Sequence, residues 1–410
     1  MANGIPSSGG VTDPGRLTPG WADVSIKARL RVIRRLRHLI ASRPGKLYGE
    51  IQRPSEETLV SEILPLLEAC RFLEQRAEAI LAPRREESGR PLWLAGTTLE
   101  IRREPLGRVL IVGPSNYPLL LVAVQTLQAL AAGNSVVVKP GRAAGPVLSA
   151  FVEMLFEAGL PRNVCRLLDE NPLSAEAAIQ AGVDKVVLTG SSATGAKVLS
   201  LLAPSATPSV MELSGLDACI VLEGADIELA AQAIRFGSSF NGGNTCIAPR
   251  RLFAHQSLAG ALSKLLPADR RVSSFSRVSE AVAAANASDF ALGATIFGPA
   301  AQARNVASQL YCGVVVINDM IVPTADPRVP FGGRAHSGFG VTRGAEGLLE
   351  MTAVKAVCIR RGRSRPHLQP RRRNDAELFE AYIGAAHSRS LASRARHLVK
   401  FVRAAMKRNH

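Results

Sequence analysis

Val109-Leu110-Ile111-Val112-Gly113-Pro114-Ser115-Asn116-Tyr117-Pro118 is a run of four apolar residues, then a turn, then the start of an apolar helix expected to end near Ala132. A strand without polar alternation is buried on both faces, as in parallel sheets covered by helices. The same alternation continues outward. Ser135-Val136-Val137-Val138 is a second strand, followed by Lys139-Pro140-Gly141-Arg142 and a helix over 145–158. Val164–Leu168, Lys185–Leu188 and Val210–Leu213 read as further strands with helices between them. Repeated strand–helix units imply an α/β fold with a doubly wound, Rossmann-like parallel sheet. Such sheets bind ligands outside the carboxyl ends of their strands. The polar loops at Asn116, Lys139 and Gly190 share that edge.

Upstream, 24–42 has the spacing of a basic amphipathic helix, 56–82 that of one or two more, and Thr97–Arg103 alternates like a strand. A second α/β unit starts after Gly215. It has strands at Ala218–Leu222, 251–254, 292–297 and 313–318, a helix from Leu229 into the Cys246 turn, and helices near 257–266, 277–286 and 300–311. Val354–Ile359 is a last strand, 360–373 a basic Pro-containing linker, and 375–407 a pair of basic helices. No internal repeat is present.

The 410 residues are 47% hydrophobic and 20% charged, which excludes a disordered chain. Six scattered cysteines without CxxC spacing argue for a reducing, cytoplasmic setting and against a disulfide scaffold or a metal site. The first twenty residues lack the apolar core of a signal peptide, and the longest apolar run, 118–132, is too short to span a bilayer. The net charge of +16 is concentrated in 16–53 and 360–410, the latter holding fourteen Lys/Arg against three acids. A basic end can meet nucleic acid or an anionic membrane. No nucleic-acid motif accompanies it, so a solvated or subunit-contacting tail is the expectation.

Chemistry concentrates at a few positions. Cys246 closes the turn Asn241-Gly242-Gly243-Asn244-Thr245, where backbone N–H groups can lower a thiol's pKa. Glu212 lies among apolar residues at a strand end, where desolvation raises a carboxyl towards the range of a general base. The Asn116 amide is placed to donate to an oxyanion. Lys139 can reach ribose hydroxyls or a phosphate. Thr189-Gly190-Ser191-Ser192-Ala193-Thr194-Gly195 opens a helix after a strand and suits a phosphate.

Residues 55–360 resemble the aldehyde dehydrogenase superfamily. The resemblance rests on Pro114–Pro118, Lys139-Pro140, Ala158-Gly159-Leu160-Pro161, Thr189-Gly190-Ser191, Glu212-Leu213-Ser214-Gly215, Asn241–Cys246 and Pro330-Phe331-Gly332-Gly333 with Ser337-Gly338. Glu212 and Cys246 are 34 residues apart, as in that family. The resemblance implies Cys246 as nucleophile, Glu212 as base, and Asn116 with the Cys246 N–H as oxyanion hole. It also implies Lys139, Arg142, Gly190, Ser191, Gly195, Ser115 and Phe331 as contacts of NAD or NADP, with NADP tolerated or preferred because Arg142 replaces a frequent glutamate. The implied domains are N-terminal helices over 21–98, an oligomerisation strand over 99–107, an NAD(P)-binding domain over 108–214, a catalytic domain over 215–349, a second oligomerisation strand over 350–362 and a basic helical tail over 363–410. A homodimer or larger homo-oligomer follows from the two short strands.

The chain departs from the family pattern at Ser214, Ser115 and Arg142, and lacks a long block between Ala254 and Ala285 that normally contacts the nicotinamide ribose. Ser273-Ser274-Phe275 is the nearest remnant. The implied function is NAD(P)-dependent oxidation of an aldehyde to a carboxylate through a cysteine thioester. The alternative is a catalytically impaired relative with a binding or assembly role. A CoA-acylating reductase fits less well, because it has no use for the Glu212 base.

Overall fold

Leu110 and Val112 pack into one apolar cluster while Val109 and Ile111 pack into another. Adjacent residues of one strand therefore feed opposite faces of a sheet, as the unbroken apolar run requires. In the computed structural model of the protein, residues 20–86, 88–94, 96–361, 365–368, 370–372 and 375–409 are described. The N-terminal stretch read above as lacking a signal peptide lies outside them up to residue 19, as does part of the basic linker. No helix among the described residues is long and apolar enough to cross a membrane.

A three-residue strand, β1 (Arg84–Glu86), and a nine-residue one, β2 (Thr97–Pro105), precede the first large sheet. Its strands are β3 (Arg108–Val112), β4 (Ser135–Lys139), β5 (Cys165–Leu167), β6 (Lys185–Thr189) and β7 (Ser209–Glu212). Their spatial order is β5-β4-β3-β6-β7, all parallel. The chain leaves β3 to one side for β4 and β5, then returns to the other for β6 and β7. This is the switch point at which doubly wound sheets open a crevice. The second sheet holds β8 (Ala218–Val221), β9 (Arg251–His255) and β10 (Val272–Phe275). After the short β11 (Phe290–Ala291) it gains β12 (Gly293–Phe297) and β13 (Val314–Ile317). Its order β10-β9-β8-β12-β13 is also parallel throughout. Then come β14 (Arg334–Ala335), β15 (Gly338–Phe339), which adds to β7 in antiparallel fashion, and β16 (Thr352–Arg360), which shares a sheet with β1 and β2.

The chain divides into a large unit, Met1–Glu86 with Glu100–Val357, and a small one, Glu87–Leu99 with Cys358–His410. In the large unit the helix Leu120–Ala132 is buried at all of its positions. Its first N–H groups have no helical partner, a cost that a buried end must meet. Glu62, itself fully buried, accepts from Leu119 N at 3.1 Å and Leu120 N at 2.7 Å and pairs with Arg53 at 3.3 Å.

Several sequence expectations need correction. The 56–82 segment is helical as expected, in two α-helices, Ser55–Thr58 and Leu64–Leu81, joined by a π-turn over Leu59–Ile63. The helix expected over 300–311 ends at Ala307, because the Asn286 side chain binds both Gln309 O and Tyr311 N and turns the chain. The remnant Ser273–Phe275 is a strand, β10, closing the second sheet beside β9. The shortened segment therefore costs this sheet nothing in continuity: its two faces keep separate apolar clusters, with Cys219 and Val221 in one and Ala218 and Ile220 in the other.

At the start of β8 the buried Asp217 accepts from Gly293 N, and burial pushes its carboxyl from 3.8 up to about 7. The native state thus keeps a proton that the unfolded chain has already lost in that window, so stability falls as pH rises through it. Asp217→Asn removes this contribution. Urea unfolding from pH 4 to pH 7 should show the variant losing less stability per pH unit than the wild type, by up to about 1.4 kcal/mol.

Candidate active site

The helix Ile227–Ser239 starts at Asp226, whose carboxylate caps Leu229 N at 2.9 Å. It stops before the thiol rather than running into it. Asn241 (φ 54°, ψ 42°) and Gly242 (φ 58°, ψ 25°) are both left-handed, which turns the chain sharply. Asn241 is held there by Glu57, which accepts its N–H at 2.7 Å. Its side chain donates to Asn116 O at 2.8 Å, and the Asn116 side chain donates back to Asn244 O at 2.7 Å. Arg53 also donates to Asn116 O, at 2.6 Å. Tyr117 Oη and Thr245 Oγ1 share a bond of 2.7 Å one residue from the thiol. The loop after β3 and the loop bearing Cys246 are thereby fastened together.

Glu212 ends β7. Thr342 Oγ1 donates to its Oε2 at 2.9 Å, and Thr342 pairs its backbone with Phe331. Across the sheet edge Glu212 faces Gly338 of β15. Gly338 has φ 99°, and a Cβ there would lie 1.8 Å from Met211 O, so only glycine lets this strand close over the end of β7. Ser337 fastens it by donating to Ser214 O at 2.7 Å.

A cleft of about 840 Å³ opens along the carboxyl ends of β3, β4, β6 and β7. It is lined by Ser115, Asn116, Lys139, Arg142, Gly190, Ser191, Glu212 and Cys246. Two expected residues are not among its walls. Gly195 is buried against Leu213, where a Cβ would come within 2.9 Å. The Phe331 ring is buried and lies under the Arg343 guanidinium, 4.3 Å away. Neither presents a surface to a ligand in the cleft. The Ser191 hydroxyl caps the helix Ser192–Leu202 through Thr194 N at 3.1 Å.

The electrostatics differ from the sequence expectation at the thiol. Cys246 is half-buried, and burial together with the Glu212 and Asp217 carboxylates pushes it up to about 12. Turn geometry cannot offset desolvation plus two like charges. Glu212 is raised by burial, against the pull of Arg343 and Thr342. Burial holds Lys139 below its ordinary value, while Glu170 and Asp169 act the other way.

Sequence reasoning missed three contributors. Glu170 lines the cleft and binds Ala143 N and Gly145 N, each at 2.8 Å, at the start of the helix after Arg142. Thr342 orients Glu212. Arg343 donates to Thr324 O at 2.7 Å, and its charge acts on Glu212, Cys246 and Tyr117. Its backbone sits at φ 60°, and its Nε is buried without a partner. No local signal marks it; only the closure of β15 on β7 brings it to the thiol.

The sequence model of the aldehyde dehydrogenase family matches 15–269 and 270–357, breaking where the chain is short. The 4,4'-diapolycopene aldehyde oxidase of Methylomonas sp is 26% identical over 444 aligned positions, covering 88% of this chain and 84% of that protein. The chloroplastic betaine aldehyde dehydrogenase of Amaranthus hypochondriacus is 32% identical over 58% of this chain but only 48% of its own length. The NAD+ complex of the Bacillus cereus aldehyde dehydrogenase superposes with a TM-score of 0.77 at 22% identity, covering 84% of this chain and 86% of that one.

Arg343 favours the ionised forms of both Cys246 and Glu212. Arg343→Gln should therefore slow iodoacetamide labelling of Cys246 by about tenfold at a fixed alkaline pH and shift its pH midpoint upward. Peptide-resolved mass spectrometry separates this thiol from exposed Cys358. An unchanged midpoint would contradict the role assigned to Arg343.

Proposed function

Because the chain belongs to the aldehyde dehydrogenase family, we propose that it oxidises an aldehyde to a carboxylate with a nicotinamide dinucleotide, using Cys246 as nucleophile. The observation that carries this reading is the convergence of Cys246, Glu212 and the Asn116 amide on one cleft. That cleft also suits the cofactor. Gly190, Ser191 and Thr194 line it at the opening of an eleven-residue helix, whose dipole favours an anion. Lys139 ends the neighbouring strand and lines the same wall. When bound, the dinucleotide supplies the hydride acceptor.

The chain's own residues do the rest. The Cys246 thiol, protonated at rest, gives its proton to Glu212 as sulfur bonds to the carbonyl carbon. Asn116 uses one amide N–H to hold Asn244 O. Its other N–H, with the Cys246 backbone N–H, donates to the oxygen that gains charge. Once oxidation has left a thioester and Glu212 has released the thiol's proton to solvent, Glu212 takes a proton from water, whose oxygen bonds to the acyl carbon as the sulfur leaves, and the carboxylate is released. Thr342 and Arg343 keep the Glu212 carboxyl in place and ionisable. An impaired, assembly-only protein is the weaker reading, because the shortened segment leaves the second sheet continuous. Self-association through the free edge of β16, where Val354 is exposed, belongs to the same proposal.

Cys246→Ala should abolish NAD(P)H formation from a panel that includes an apolar polyene aldehyde and betaine aldehyde. Glu212→Gln, which removes the acceptor of the thiol proton as well as the base for hydrolysis, should form NAD(P)H slowly and stop at about one equivalent, at the thioester. Residual turnover in Cys246→Ala would rule out the nucleophile, and steady NAD(P)H formation beyond one equivalent in Glu212→Gln would remove Glu212 from deacylation.

On cofactor choice, Lys139 and Arg142 line the cleft with Glu170 among them, so cations and an anchored anion oppose one another. NAD and NADP should bind within about tenfold of each other, Arg142→Glu shifting the balance towards NAD and Glu170→Gln towards NADP. Fluorescence titration of both cofactors decides this. A strong NAD preference that neither substitution moves would sink it.

A further inference from the structure

Gln128 is 2% exposed and sits on the buried helix Leu120–Ala132. Its Nε2 donates to Gly344 O at 3.3 Å, which sets the amide against the residue that follows Arg343. A carbonyl only accepts, so the end of the amide that faces it must be the NH2 group. The other end, Oε1, is buried and has no hydrogen-bond partner among the described residues. Arg343 Nε is buried and unpartnered in the same way. One atom can only accept and the other can only donate. Interior polar atoms left unpaired cost free energy, and native structures pair nearly all of them.

Gln128 and Arg343 line one cavity, of about 10 Å³. Its other lining residues are apolar or glycine, Ala69, Phe72, Leu73, Leu120 and Val124 among them. The space is that of about one water, which also needs roughly two to four polar partners. Arg343 Nε supplies a donor and Gln128 Oε1 an acceptor. Gly344 lines the same cavity, and its carbonyl keeps a second lone pair. The apolar part of an aldehyde is too large for this space and would leave both polar atoms unpaired. An anion would suit the guanidinium but meet the lone pairs of Gln128 Oε1. Water answers both. Arg343 gains from such a support. Its backbone is left-handed, and its guanidinium donates to Thr324 O and rests on the Phe331 ring. From there its charge acts on Cys246 and Glu212, an effect that falls with distance.

We propose that Gln128 is a positioning residue for Arg343, acting through one buried water that accepts from Arg343 Nε and donates to Gln128 Oε1. The inference builds on the proposed roles of Cys246 and Glu212, but its test reads the thiol by alkylation and not by turnover, so the two fail separately. Gln128→Leu keeps a similar volume and removes the acceptor. It should slow iodoacetamide labelling of Cys246 by about threefold at a fixed alkaline pH and move the pH midpoint upward. In an Arg343→Gln background the same substitution should have no further effect, because a residue that acts through Arg343 has nothing left to act on. A crystal structure of the unsubstituted protein should show an ordered water within hydrogen-bond reach of both atoms, which tests the proposal even if Gln128→Leu does not fold. A well-ordered cavity without that water overturns it. So does an unchanged midpoint in Gln128→Leu. A shift of equal size in both backgrounds also overturns it, since Gln128 would then act by packing alone.

Discussion

The carbonyl of Asn116 accepts hydrogen bonds from both Arg53 and Asn241, and the candidate site depends on that junction. One partner comes from the N-terminal helical region, the other from the second α/β unit. Around it, Asn116 donates to Asn244, Glu57 holds Asn241, and Tyr117 meets Thr245. A left-handed turn ahead of a thiol has many ways to face solvent. Four bonds from elements far apart in sequence leave it one. The Glu62–Arg53 pair anchors this lattice from beneath, because it also satisfies the buried start of the helix Leu120–Ala132.

Burial then sets the chemistry. Cys246, Glu212 and Asp217 are all pushed towards their neutral forms, and the guanidinium of Arg343 opposes that for the first two. A thiol that resting protein keeps protonated is guarded from adventitious oxidation, and it becomes a nucleophile only as a base accepts its proton. The strained backbone of Arg343 is consistent with a residue kept for charge rather than for packing. Its ring contact with Phe331 explains why an aromatic residue near the cleft is turned away from it.

The shortened segment is absorbed at a sheet edge. Among the described residues β10 pairs only with β9, so removing chain before it alters a loop and leaves the inner strands β8, β9 and β12 in register. Loss from an inner strand would have broken the ladder and both clusters that flank it.

The alternation of wholly apolar strands with helices determined the doubly wound sheet, because only a sheet covered on both faces can bury Val109 to Val112. The same regularity located Asn116, Lys139, Gly190, Ser191 and Glu212, each at the carboxyl end of a strand where the fold opens. Local sequence could also mark Cys246, since its glycine turn is a contiguous signal. It could not supply the thiol's environment. Glu170, Thr342 and Arg343 reach the site through strand order and the closure of β15 on β7, over separations that no periodicity spans. Turn geometry alone suggested a lowered thiol pKa; tertiary burial beside two carboxylates reversed the sign. The expectation of two basic C-terminal helices holds for Leu391–Asn409 only, because the Lys/Arg residues fall outside Asp375–His387, which carries Asp375, Glu377 and Glu380. Which apolar residues of these two helices are buried and which stay exposed was decided only when the two packed, because a helix has more apolar positions than one partner can cover.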